Sequence, residues 1–323
     1  MKSVLVVRRD NIGDLVCTTP LFAALRRAYP QAWIGALVNS YNAAVLDRNP
    51  DLDEVVVYTK LKHLEPGQSA FAALARRVGE LWRLRRRRLD CVVLANPLEA
   101  SRTLALARAL APKRIVSLSA AKVHGVHQVE RVFALAADLG IEAAIPPLKL
   151  VPDPALVEKA KSALKSRFNI ALQISARRPA QQWPAQRFAE LARRLDGLGF
   201  GTVLLWAPGP SNHPRHPGDD EKAQQIAARL GGTASFVAYR TERLAELIGA
   251  LAACDALVTS DGGAMHLAAA LQKPIVCFFG DVAPEQWRPW GAPHRVLRPA
   301  SHNAADIGVE QALGALRELT QHL

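Results

Sequence analysis

Leu257 to Gly280 reads LVTSDGGAMHLAAALQKPIVCFFG. Leu257 to Ser260 is a short apolar, β-branched run of the kind that fills a buried parallel strand, and it halts at Asp261-Gly262-Gly263. A helix is expected at once, with Met265, Leu267, Ala268 and Leu271 as its apolar face and Gln272-Lys273-Pro274 as its stop. Ile275 to Phe279 then gives the next strand, which makes the stretch a βαβ unit. Two glycines in a first helical turn cost roughly 1 kcal/mol each against alanine. Bare backbone at Gly262 and Gly263 suits an anion site, where N–H groups and the positive end of the helix dipole meet phosphate. The plainer reading is a tight strand-to-helix turn with Asp261 as the cap.

The same alternation runs outward in both directions. Ser3 to Val7 reads as a first strand, Arg8 to Asp14 as a polar loop at its carboxyl end, and Leu15, Val16, Leu21, Phe22 and Leu25 as a helix with Pro20 near its start. Trp33 to Val38, Glu54 to Tyr58, Cys91 to Ala95 and Arg114 to Leu118 continue the strands of a doubly wound sheet. Ile145 to Pro154, IPPLKLVPDP, carries four prolines and reads as a linker. Beyond it the second half opens as the first did: Asn169 to Ile174 is a strand, Ser175 to Pro184 a basic loop, and RFAELARRL a helix echoing LFAALRRAY near the start. Two Rossmann-like domains are therefore expected, residues 1–152 and 153–323, facing across a cleft. The tail helix from about residue 308 is a candidate to pack back on the N-terminal domain. Ala207 to Asp220, rich in Pro, Gly and His, is long enough to be functional rather than a connector.

Composition narrows the class. The 323 residues are 50% hydrophobic and 22% charged, and no window approaches the roughly 18 unbroken apolar residues of a membrane span. The run Val4 to Val7 is too short for a signal-peptide core, and Cys17, Cys91, Cys254 and Cys277 lack metal or redox spacing, so a cytoplasmic protein with reduced cysteines is expected. The net charge of +12 implies anionic company. Nucleic acid is disfavoured, because neither interleaved aromatics nor a recognition helix is apparent. Arg83 to Arg88 reads first as a solvated helix end and alternatively as a dock for acidic lipid headgroups. No G-x-G-x-x-G follows the first strand, which argues against a dinucleotide oxidoreductase. Asp51-Leu52-Asp53 matches the D-x-D of metal-dependent sugar transferases, but it precedes a strand and reads better as a turn.

MKSVLVVRRDNIGDLVCTTPLFAALRRAYP resembles the opening of the ADP-heptose:lipopolysaccharide heptosyltransferases, glycosyltransferase family 9, with its strand, basic loop, Gly-Asp and Thr-Pro. SDGGAMHLAAALQKPIVCFFG resembles the same family's second hallmark, and the two stand in the family's order. The resemblance implies the GT-B fold, inverting transfer without a metal or other cofactor, and an ADP-heptose donor. It also implies cytoplasmic work on a membrane-anchored lipopolysaccharide core as acceptor, and the arginine run adds peripheral contact with the inner membrane as an alternative to its solvated reading. Carried over by position, Asp14 is the expected general base, with Arg8, Arg9 and Thr18 on the acceptor side. The backbone of Gly262, Gly263, Ala264 and Met265 is expected to receive the diphosphate and His266 to donate to it, while Asp261 caps the helix or holds a donor hydroxyl. Glu246 matches the glutamate of the preceding helix on the donor side. The sequence departs from the family where a Lys commonly stands two residues before Trp-Pro: Gln181 is there, ahead of Trp183-Pro184. Arg177 and Arg178 are placed to supply the missing charge, and a lysine introduced at 181 is expected to add a cation beside the diphosphate. A GT-B-type sugar-nucleotide epimerase and a catalytically idle sugar-nucleotide-binding protein share the fold and stay open at this point.

Overall fold

The computed structural model describes residues 1–58, 70–96, 101–118, 126–213 and 217–320, with the side chains of 70–77 and 101–102 left aside. It forms two compact units, Met1–Val151 and Pro152–Leu323. The first runs β1 (Ser3–Val7), α1 (Ile12–Val16), α2 (Thr19–Ala28), β2 (Trp33–Asn39), β3 (Glu54–Tyr58), α3 (Ala70–Arg86), β4 (Cys91–Leu94), α4 (Ser101–Ala109), β5 (Arg114–Ser117), α5 (Gln128–Phe133) and α6 (Leu135–Asp138). Its strands make one sheet in the order β3-β2-β1-β4-β5, with every pairing parallel. β1 is buried along its whole length, as a central parallel strand covered on both faces must be.

The expected first helix is two. Pro20 has no N–H to give to Val16, so α1 ends at Val16 and α2 restarts with Pro20 in its first turn. Residues 141–153 have no regular structure, and the Lys149 backbone N–H donates to Thr19 Oγ1 at 3.0 Å, which straps this linker to the first unit. Asp51 binds Lys149 Nζ at 2.6 Å, while Asp53 accepts from the Ile34 backbone and from Arg26, each at 2.7 Å. Both carboxylates of the D-x-D thus fasten a turn.

The second unit runs α7 (Pro154–Lys161), β6 (Asn169–Gln173), α8 (Ala185–Asp196), β7 (Gly201–Leu205), α9 (Asp220–Arg229), β8 (Phe236–Ala238), α10 (Leu244–Ala253), β9 (Ala256–Ser260), α11 (Gly263–Ala270), β10 (Ile275–Phe278), α12 (Pro284–Trp287), β11 (His294–Leu297) and α13 (Val309–Leu319). The sheet order is β11-β10-β9-β6-β7-β8, again parallel throughout. Its core centres on Trp183, which meets Phe188 edge-on and Phe278 at a tilt, each with ring centroids 4.7 Å apart. The tail helix α13 lays Ala312, Leu313 and Leu316 into this same core. The apolar face of α13 is thus covered within its own unit. The edge strand β11 has no counterpart in the sequence reading. Its HRVL run is only half-buried and carries two polar residues, so it shows neither a clean alternation nor an apolar run.

Candidate functional site

Both sheets reverse direction of growth beside their first strand. In the first unit β2 and β3 extend to one side of β1 and β4 and β5 to the other; in the second, β7 and β8 lie to one side of β6 and β9, β10 and β11 to the other. Such switch points leave a crevice beyond the carboxyl ends of the two central strands, where open α/β sheets bind ligands. Most residues named from the sequence lie at these two places.

In the first unit the loop after β1 wraps a buried arginine. Arg8 is 1% exposed; its Nε donates to Asp10 Oδ1 at 2.8 Å, and its two terminal nitrogens donate to the Ala95 carbonyl and to Asp14 Oδ1. Asp14, 7% exposed, also accepts at Oδ2 from Asn11 Nδ2 at 3.0 Å and from the Asn11 backbone at 3.4 Å. Gln128 Nε2 lies 3.4 Å from Asp14 Oδ1. The carboxylate is therefore fixed in direction from both sides. Asp10 has its carboxyl pushed up to about 6 by burial, against the pull of Arg8 and with the help of Asp14. Its carbonyl accepts from Asn42 Nδ2 at 3.2 Å and from the Tyr41 hydroxyl, which ties the loop to the end of β2.

Three acceptor-side expectations change in character. Arg8 is consumed inside the loop, so it positions Asp14 instead of facing a ligand. Thr18 is wholly buried and donates its hydroxyl to the Asp14 carbonyl at 2.8 Å; it holds the turn between α1 and α2 and has no surface to offer an acceptor. Arg9 donates to Thr103 Oγ1 at 2.9 Å and stacks on Tyr58 with 4.7 Å to the ring centroid.

In the second unit β9 passes through Asp261 and Gly262 into α11. The cap of that helix is Gly262, not Asp261, and no side chain caps it. The N–H groups of Gly263, Ala264 and Met265 therefore open the helix with no acceptor behind them. Gly262 has an extended backbone, φ 166° and ψ −175°, and a Cβ there would meet nothing nearer than the Ser260 carbonyl at 3.9 Å. There is thus room for a Cβ at Gly262. Asp261 accepts from Gln181 Nε2 at 2.7 Å through Oδ2, and the carboxyl is raised to about 6 by burial, with Gln181 and Arg178 opposing.

Gln181 closes a 3-10 turn, Pro179–Gln181, packed hard against the next strand's end: a Cβ on Gly280 would come within 2.1 Å of the Ala180 carbonyl. The amide of Gln181 is therefore held against Asp261. A side chain at 181 is thus placed beside the Asp261 carboxylate. Arg177 and Arg178 are exposed, and Arg178 lies 3.5 Å from Asp281. His266 is buried, its ring edge-on to Trp287 with centroids 6.0 Å apart. Glu246 spends both oxygens at the start of its own helix, accepting from the Glu242 and Arg243 backbones at 2.9 and 3.2 Å and from the Arg243 guanidinium at 2.9 Å. These bonds fasten the start of α10.

Lys222 escaped the sequence reading. It donates from Nζ to the Ile174 carbonyl at 3.0 Å, just past β6, and burial brings its ammonium down to about 8. The available signal was its position in the first turn of α9, where a cation opposes the helix dipole. Among the described residues no group of three His, Cys, Asp or Glu is arranged to hold a metal ion.

Three comparisons bear on this arrangement. The family model for glycosyltransferase family 9 (heptosyltransferase) matches residues 101–316. The lipopolysaccharide heptosyltransferase 2 of Salmonella typhimurium is 29% identical, over 91% of this chain and 87% of its own length, and that of Escherichia coli is 28% identical with the same coverage. Among solved structures, a family 9 glycosyltransferase from Veillonella parvula superposes with a TM-score of 0.82 at 22% identity, covering 100% of this chain and 98% of that one. The E. coli ADP-heptose heptosyltransferase II gives 0.79 at 24%, covering 100% and 99%. At such identities the structures show the fold, which is GT-B.

Proposed function

The chain belongs to glycosyltransferase family 9, and from that premise we propose that it transfers a heptose from ADP-heptose to a lipopolysaccharide core acceptor, with inversion and without a bound metal. The enzyme class follows from the family; the sugar, the acceptor and the stereochemistry are our reading. The observation that carries it is the uncapped start of α11 at the switch point of the second sheet, with room for a Cβ at Gly262. Three successive N–H groups and the helix dipole suit a diphosphate, and they stabilise the negative charge that grows on the leaving ADP.

In the first unit Asp14 is the base. Its carboxylate takes the proton of the acceptor hydroxyl, the hydroxyl oxygen bonds to the anomeric carbon from the face opposite the diphosphate, and the anomeric carbon–phosphate oxygen bond breaks with its electron pair leaving on ADP. Arg8 and Asn11 hold Asp14 so that neither rotates it out of line. A peripheral contact with the inner membrane would bring the enzyme to a membrane-anchored acceptor. Turnover measured against ADP-, UDP- and GDP-sugars, each with and without a truncated lipopolysaccharide core, tests the reading. ADP-heptose consumed only when the core is present is expected; release of free nucleotide from any donor without an acceptor would replace transfer with an epimerase-like reaction.

A further inference from the structure

We propose that the outer face of α3 is a docking surface for an anionic phospholipid bilayer. Helix positions 78, 82, 85 and 86 stand four, seven and eight residues from the first, so they share one side of the helix. Val78 and Trp82 are each 57% exposed, and Arg85 and Arg86 are exposed beside them. The opposite side is the packing side: Leu84 is fully buried, and Leu81 lies against the core of the first sheet. A lone exposed apolar residue needs no explanation. Here a tryptophan and a valine adjoin on one face, and the Arg86 guanidinium sits 4.0 Å over the Trp82 ring. An apolar and aromatic stripe bordered by arginine is the composition of helices that lie in a membrane interface, with the indole at headgroup depth.

Charge complementarity selects the lipid. Of the arginines from 83 to 88, Arg83 pairs with Glu80 at 2.7 Å and with Glu54, and Arg87 reaches Glu54 at 3.7 Å while covering Trp33. Those two serve the fold. Arg85 donates to the Ala109 carbonyl at 2.6 Å and keeps its charge, and among the described residues Arg85, Arg86 and Arg88 have no carboxylate partner. Arg86 over the exposed indole, Arg85 on the same side of the helix and the exposed Arg88 just past its end together favour anionic over zwitterionic headgroups. The proposal is independent of the donor and acceptor chemistry, because none of these residues lies in the loops around Asp14 or α11.

Cosedimentation of the full chain with vesicles of phosphatidylcholine, alone or mixed with phosphatidylglycerol, tests it. Wild type is expected on the mixed vesicles only, with binding that weakens as salt rises. Changing Arg85, Arg86 and Arg88 together to Gln should lower that binding about a hundredfold, while the matching Lys triple should retain most of it. Val78→Gln with Trp82→Gln should lower binding and leave its salt dependence in place. All five side chains are exposed, so thermal melts of the variants should match wild type. Wild type that ignores both vesicles, equal binding to both, or a Gln triple that binds like wild type would each overturn the proposal. Retention by an acidic protein without vesicle binding would assign the face to a protein instead.

Discussion

Asp14 is the base in the proposed reaction, and its surroundings make a clean test possible. Asparagine keeps the shape that Arg8 and Asn11 grip but removes the basic oxygen. Asp14→Asn should therefore lower turnover roughly a hundredfold or more while ADP binding, measured by calorimetry, stays near wild type. Near-normal turnover would return Asp14 to a capping role. Asp261 titrates in a different way. Its carboxyl is raised from 3.8 to about 6 by burial, and its hydrogen-bond partner Gln181 brings no charge; the charged or titratable groups around it are Arg178, Asp281 and Cys277. Between those two values the folded chain keeps a proton that the unfolded chain has released. This group's contribution to stability is thus fully present at low pH and is lost as pH rises through about 6. A diphosphate at α11 adds negative charge and raises the carboxyl further, so ADP binding at neutral pH should take up a proton and tighten as pH falls toward 6. Binding enthalpies in buffers of different ionisation heat read that uptake directly. In Gln181→Lys the new ammonium would meet Asp261 first, which should abolish the uptake and leave little net charge for phosphate. The same uptake in wild type, Asp261→Asn and Gln181→Lys would detach this carboxyl from the donor site.

Among the elements, α11 carries the sharpest distinction between a structural and a functional glycine. Gly262 is extended, where any residue fits, and a Cβ there would meet no protein atom closer than 3.9 Å. Gly262→Ala should leave the melting temperature unchanged or slightly raised, because it restricts the unfolded chain. It should also weaken ADP binding by about tenfold or more, as the methyl group intrudes where the phosphate approaches, a cost of roughly 1.4 kcal/mol. A variant that binds ADP as wild type does would mean that the diphosphate lies elsewhere. This βαβ unit was legible in the sequence because its signals are local: a β-branched run, a glycine pair, a proline stop. What escaped reading was non-local or opposed to local preference. Gln128 meets Asp14 across 114 positions, Gln181 meets Asp261 across 80, and Lys222 sits where a helix start disfavours it. Thr18 and Glu246 stand at the motif positions, and their side chains also have backbone partners within four residues, which sequence resemblance does not reveal.

At the scale of the molecule, two sheets have their own cores and their own switch points, and the proposed reaction divides its labour between them. If the leaving diphosphate is stabilised by backbone amides of α11, activity should survive EDTA; loss on chelation and recovery with Mg²⁺ or Mn²⁺ would contradict the metal-free reading. The division itself is testable. The second unit packs Trp183, Phe188 and Phe278 into a core that also takes up α13, and every residue placed at the diphosphate belongs to it. The Trp183 indole N–H donates to the Ile307 carbonyl at 2.9 Å, so the turn that holds Gln181 is fixed within the same unit. Residues 152–323 expressed alone should therefore melt cooperatively and bind ADP within about tenfold of the full chain, a difference of roughly 1.4 kcal/mol, while transferring nothing for want of Asp14. Residues 1–151 should show no ADP binding. A second unit that melts cooperatively yet does not bind ADP would mean that the nucleotide needs residues of the first, and α11 would then be a structural helix whose open N-terminus serves another ligand.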